Sequence, residues 1–353
     1  MAARITHLEV LRQAIVLLEH GSEKEKSAAD RLSHEYVKYA SLGAVAPDIF
    51  YFYHVLSRRR NPIGLHWGNL CHHSEVFELC VEFLRRVREM PDSTRRAKCY
   101  AFAMGYISHC AVDIVTHPYI FYITGDYYSI DLEQAAKAQE NHLRVEYHLD
   151  AYLVHQRWGL DPARYNFLQY VDIREQTSDG EILDYDIWRF WVESLATVFP
   201  DEFENSYFGS SERILSGDVL NDSYIGFMRF NRILDTRSGM VRGFLTAVDF
   251  ATFHRIKARY LLLPPPEEVD ARMLNEGRKE WKYPGDPTVR SSESFMDLVH
   301  RSAKFAAEMI GDADAYVTRG KKAKDLAAKY AGYNLDTGLK SPSIDMHEFE
   351  PLD

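Results

Sequence analysis

A chain of 353 residues, 46% hydrophobic and 13% aromatic, can bury a large core as one big domain or two ordinary ones. Its net charge of −10 excludes a general nucleic-acid binder, whose groove needs an excess of Lys and Arg. A phosphate-bearing small molecule stays open, because metal ions can meet its charge. Cys71, Cys80, Cys99 and Cys110 have neither zinc-knuckle nor redox-pair spacing and read as reduced thiols of the cytoplasm.

At the start of the chain, Leu8, Leu11, Ile15 and Leu18 repeat at helical spacing, while Glu9 and Arg12 interrupt any signal-peptide core. Thr6 and Glu9 predict a capping box, which puts His7 in the first turn, and Gly21 predicts the stop. After a charged loop, "HGSEKEKSAAD", a second helix runs to "SLGAVAPDIF", where Gly43 and Pro47 place Asp48 on a turn or at a helix start. "SRRR" at 57–60 reads as a solvated loop. "HHSEVFELCVEFLRRVREM" predicts an amphipathic helix with Phe77, Cys80, Phe83, Leu84 and Val87 inward.

"PDSTRRAK" separates that helix from one over 99–117, which Pro118 should end. The 99–115 stretch is apolar but too short for a membrane span and carries His109 and Asp113, so a buried helix is expected. A further helix starts near Leu132, and 150–265 mixes aromatic-rich helical runs with acidic loops up to "LLLPPPEE". "SFMDLVHRSAKFAAEMI" predicts an amphipathic helix, and the polar end of the chain predicts a loosely held tail. With no repeat, Gly-rich phosphate loop or alternating strand series, the expectation is all-α. It comprises a metal-binding helical core (1–155), a helical extension packed on it (156–320) and a polar C-terminal tail (321–353).

His109, Asp113 and His117 recur every fourth residue and so share one helix face. The outer two stand about 12 Å apart along the axis, too far to close on one ion. They suit two adjacent ions with Asp113 bridging. Ala101 and Gly105 continue the stripe and would let another helix approach closely. His142 and Glu146 repeat the spacing on a second helix, with Asp150 next in line as a ligand or as a partner orienting a histidine. Asp48, His7 and one of His66, His72 or His73 complete the candidates. A single buried histidine reads more simply as a hydrogen-bonded core residue. Two His-x-x-x-Asp/Glu helices weigh differently, because buried Asp113 and Glu146 are costly without a cation. His54, His148, His155, His254 and His300 read as structural or surface residues, and Cys110 as packing.

The order "THLEVL", "GAVAPDIFYF", "GNLCHHSEVF", "AFAMGYISHCAVDIVTHPYI" and "HLRVEYHLDAYL" resembles the bacterial zinc-dependent phospholipase C family. That all-α fold is shared with the single-strand-specific zinc nucleases. "LNEGRKEWKYPGDPTVRSSESFMDLVHRSAKFAAEMI" is similar to a C-terminal helical element of cytoplasmic members. The resemblance implies two or three Zn2+ ions per chain. Asp48, His72 or His66, His109 and Asp113 would surround the first, and His117, His142 and Glu146 the second. Asp113 would bridge to a third, helped by His7. The chain departs from secreted members in two respects. They use a free mature amino terminus at the third ion, whereas no signal peptide is apparent here, and their Asp113-to-His117 interval is longer.

The function this implies is hydrolysis of a phosphate ester, a small molecule or a lipid head group, by water activated at the zinc cluster. Asp48 would serve as proton acceptor or as ligand only. The aromatic stretches "IFYFYHVL" and "YIFYITGDYY" read as core, with an apolar mouth for a lipid tail or a base as the alternative. The rival readings are a non-catalytic helical metal-binding scaffold or interaction protein of the same fold, and a di-iron bundle. The latter favours Glu-x-x-His spacing, which this chain lacks at these helices. Neither sequence-specific nucleic-acid binding nor a transmembrane segment is expected.

Overall fold

An apolar run that shows no polar face to solvent has to become the axis of a core. Here it is α7 (Ser93–Thr124), buried from Cys99 to its end. The structure is a computed structural model, described over residues 4–162, 165–178, 180–233, 239–251, 262–341, 343 and 345–352. Around α7 pack α1 (Arg4–Glu19), α3 (Val37–Gly43), α6 (Val76–Glu89), α8 (Leu132–Tyr152), α10 (Tyr185–Val198) and α14 (Phe295–Arg319). The short α4 (Ala46–Ile49) and the longer α5 (Asn61–His73) follow α3, and α9 (Leu168–Val171), α12 (Val219–Ile233) and α13 (Gly239–Ala251) belong to the second half of the chain. The fold is predominantly helical, as expected, with two small antiparallel hairpins that the strand-free expectation lacked. These are β1 (Arg174–Thr177) with β2 (Gly180–Leu183), and β3 (Trp281–Tyr283) with β4 (Asp286–Ser291).

The small-residue stripe on α7 meets α3 backbone to backbone. A Cβ on Gly105 would come 2.0 Å from the Ala40 carbonyl oxygen, and one on Gly43 would come 2.1 Å from that of Phe102. Only glycine permits this crossing, which brings the carbonyl at the end of α3 within reach of the next α7 turn.

Several local expectations change. α2 (Glu23–Leu32) forms inside the segment expected to be a charged loop, with Ser22 and Glu25 making the capping box. Thr6 and Glu9 make none: Thr6 gives its hydroxyl to Asp150, and Glu9 binds Arg12, Gln13, Arg157 and Trp158. α7 begins six residues early, on an Asp92 cap, and continues past Pro118 to a Gly125 cap. Proline removes one N–H and crowds the carbonyl four residues back, that of Ile114. The buried side chains of Tyr119, Ile120, Phe121 and Ile123 offset that cost.

The end of the chain is also held rather than loose. After α15 (Ala323–Tyr330) the N–H groups of Glu350 and Leu352 donate to the carbonyls of Tyr122 and Ile123. Those oxygens lie in the last turn of α7 and have no acceptor role within the helix. His254 lies outside the described residues. Among the described residues, no helix is long and apolar enough to cross a membrane.

Candidate metal centre

Five separate stretches deliver ligand-type side chains to the middle of α7. Asp113 stands at the centre, fully buried. Its Oδ2 lies 3.0 Å from Nε2 of His109 and 3.8 Å from Nε2 of His72. Its Oδ1 lies 3.4 Å from Nε2 of His7 and 3.6 Å from Nε2 of His117. Asp48, on α4, approaches from the other side, with Oδ1 3.3 Å from His72 Nε2. His142 and Glu146, one turn apart on α8, meet at 3.1 Å and lie against His117. The side chains fall into three groups, the first two sharing His109, and within each group the donor atoms lie within 4.8 Å of one another. They are His7, His109 and Asp113; Asp48, His72 and His109; and His117, His142 and Glu146.

The fold presets how these rings face. Nδ1 of His109 donates to the Ala44 carbonyl at 3.0 Å, a consequence of the glycine crossing. Nδ1 of His72 meets the Gly68 carbonyl at 2.7 Å, and Nδ1 of His117 meets that of Leu335 at 3.1 Å. Each bond leaves Nε2 turned inward, the usual arrangement of a ligating imidazole. His7 stacks flat on His109, with ring centroids 4.2 Å apart.

Electrostatics follow from burial and crowding. Burial, then the neighbouring His109, pushes His7 down to about 3. Burial acts against ionisation of Asp113, yet His109 and His117 beside it hold it well below the usual carboxylate range. Asp48 is likewise held down, by His72 and His109 against burial. For His117 burial is outweighed by Asp113 and Asp336, which raise it to about 9.

Six buried polar atoms of the cluster have no hydrogen-bond partner among the described residues: His7 Nδ1, Asp48 Oδ2, both Asp113 oxygens, His142 Nδ1 and Glu146 Oε2. Leaving such atoms unpaired is expensive, and a cation held by imidazole and carboxylate donors removes that cost. The donor set, mainly histidine with carboxylates, suits zinc.

Of the three histidines left open on "LHWGNLCHHSE", His72 is the one brought into the cluster. His66 stands outside it, 41% exposed at the side chain and 2.8 Å from Glu202 of α11 (Pro200–Ser206). Six residues before His72 on the same helix, it projects over a different neighbour, and sequence order alone did not say which neighbour belonged to the cluster. His73 turns to Asp336 at 2.9 Å. Among the described residues Asp150 has no hydrogen bond to a histidine; its carboxylate receives the N–H groups of Ile5 and Thr6 and the Thr6 hydroxyl. It caps α1 from a distance and so sets the height of His7. The arginine loop at 57–60 is exposed, as expected.

Asp336 itself went unread. A single acidic residue in a polar stretch carries no periodic signal. The nearest one is the turn chemistry of "NLDTG", where Asn334 accepts from the N–H groups of Asp336 and Thr337. The aromatic stretches divide: Phe50 and Phe52 are core, while Tyr51, Tyr127 and Tyr128 stand around His72, His142 and His73.

A helical bundle with histidines and carboxylates gathered at its centre defines a zinc-protein class, and the comparison with known families agrees. The zinc dependent phospholipase C family matches residues 6–207, more than half of the chain, and the protein belongs to that family. No curated protein and no solved structure matches it.

Proposed function

We propose that the protein hydrolyses a phosphate ester at a centre of two or three zinc ions. The reading is supported above all by Asp113, a fully buried carboxylate with neither oxygen hydrogen-bonded among the described residues and four imidazoles around it. In this reading Asp48, His72, His109 and Asp113 hold one ion, and His117, His142 and Glu146 hold a second. His7 would hold a third ion together with Asp113. Zinc so held supplies Lewis acidity toward phosphoryl oxygens and brings the acidity of a bound water toward neutral pH.

The chain's own groups do the rest. Asp48 offers the unpartnered Oδ2 to orient the attacking water and accept its proton. The carbonyls of Ala44, Gly68 and Leu335 keep the imidazoles from rotating, so the site needs little reorganisation as charge builds on the phosphoryl group. Tyr51, Tyr127 and Tyr128 form a rim with apolar faces and hydroxyl tips, able to pack against a lipid or another organic leaving group.

Replacing Asp113 with Asn tests the bridging role. Bound metal and turnover of a chromogenic phosphodiester should fall together. Unchanged metal content in that variant would remove Asp113 from the centre.

A further inference from the structure

Asp336 lies beyond the residues that match the family, yet its buried carboxylate reaches three groups at the rim of the centre. Oδ2 sits 2.9 Å from Nε2 of His73 and accepts a 2.7 Å bond from the Tyr128 hydroxyl. Oδ1 is 3.5 Å from Nδ1 of His117, the same nitrogen that meets the Leu335 carbonyl. The Leu335 carbonyl accepts from Nδ1 of His117, and the Asp336 carboxylate beside it favours a proton on that same nitrogen. That leaves Nε2, 3.6 Å from Asp113, as the nitrogen with a lone pair to offer.

The segment is built to stay there. Asn334 holds the N–H groups of Asp336 and Thr337 at 2.9 Å each. Gly338, at φ +66°, lies against Pro118 over the Ile114 carbonyl, where a Cβ would approach the oxygen to 2.3 Å. The proline inside α7 and the glycine of the C-terminal turn therefore fit one another, right beside His117 on the helix.

We propose that Asp336 is a positioning residue of the zinc centre. It holds His117 in the ligating orientation, together with the Leu335 carbonyl, and ties His73 and Tyr128 across the rim. The inference rests on the zinc reading above and adds to it a residue that acts through His117 without touching the ion. Outer carboxylates of this kind raise the basicity of a ligating imidazole and fix its ring.

A plain structural anchor would also lose stability when altered, so the deciding readout is metal affinity. Zinc binding to the full-length wild type, Asp336→Asn and Asn334→Ala is measured by competition with a chromophoric chelator, beside thermal melting of each metal-free protein. Asp336→Asn keeps the shape and removes the charge; the weakest zinc step should loosen by about 10- to 100-fold. Asn334→Ala keeps the charge and slackens the turn, so it should shift the same step in the same direction by less. It decides the matter if the first variant does not fold. Wild-type zinc affinity in the folded variants, with melting lowered, would overturn the proposal and leave Asp336 as an anchor. A wild type that takes up no zinc would instead overturn the zinc reading itself.

Discussion

Glu9 carries a buried carboxylate that the metal centre does not use. It accepts from Arg12, Gln13, Arg157 and the Trp158 indole, and so joins α1 to the turn that follows α8. Burial opposes its charge, but these donors, Arg12 first, hold it down at about 2. A carboxyl depressed on folding contributes stability above its unfolded value, and that contribution is lost as pH falls toward the folded value. Glu9→Gln should cost about 2–3 kcal/mol near neutral pH, and the gap to wild type should close between about pH 4.5 and pH 2. Melting curves across that range check it; a gap independent of pH would assign the effect to packing.

His72 and His66 make a second test at this scale. His72→Ala should lower bound metal and turnover together, whereas His66→Ala loses only an exposed pair with Glu202 and should leave both within error. Metal analysis of the two variants side by side decides it. The spacing of His109, Asp113 and His117, and of His142 and Glu146, was legible because helical period writes a shared face directly into sequence. The choice of His72 was not, because the three histidines of α5 point to different faces and only the fold decides which face meets the cluster.

Among elements, the meeting of α3 with α7 is the least forgiving contact. Gly105 and Gly43 let the two backbones touch, and the same contact delivers the Ala44 carbonyl to His109. Gly105→Ala pushes a methyl into the Ala40 carbonyl, which nothing flexible can yield to. It should destabilise the fold by about 1–3 kcal/mol or more and weaken metal retention with it. Denaturant melting and metal content report the two effects; an alanine variant as stable as wild type would contradict the crossing.

The close approach itself was readable, since Ala101 and Gly105 prolong the ligand stripe. The end of α7 was not. Pro118 argues locally for a stop, while the reward for continuing comes from side chains buried by the rest of the fold. The missing capping box has the same origin. Thr6 and Glu9 have the right spacing for a local cap, but Asp150 and Arg157, distant in sequence, bind them instead.

Across the whole molecule, the proposed metal centre is assembled from parts of the chain that are far apart in order. His7 arrives on the first helix, Asp48 on a single turn, His72 on α5, the central triad on α7 and the pair on α8. Leu335 and Asp336 close it from the other end of the chain. The family's motifs made these five stretches legible, though not which histidine of α5 is used, because each pairs a ligand-type residue with a helical or breaker signal. The C-terminal segment hid its role behind a polar composition, and only the burial of Leu335, Asp336 and Thr337 gives it away.

The central claim is that this cluster holds zinc and uses it for hydrolysis. The direct measurement is metal content by elemental analysis of protein purified without a histidine tag, alongside turnover of a chromogenic phosphodiester with and without EDTA. Two or more zinc ions per chain with EDTA-sensitive turnover is the result predicted. A protein that binds no metal even after reconstitution would contradict the account. Zinc without turnover on any phosphate ester would keep the centre and refute the hydrolase.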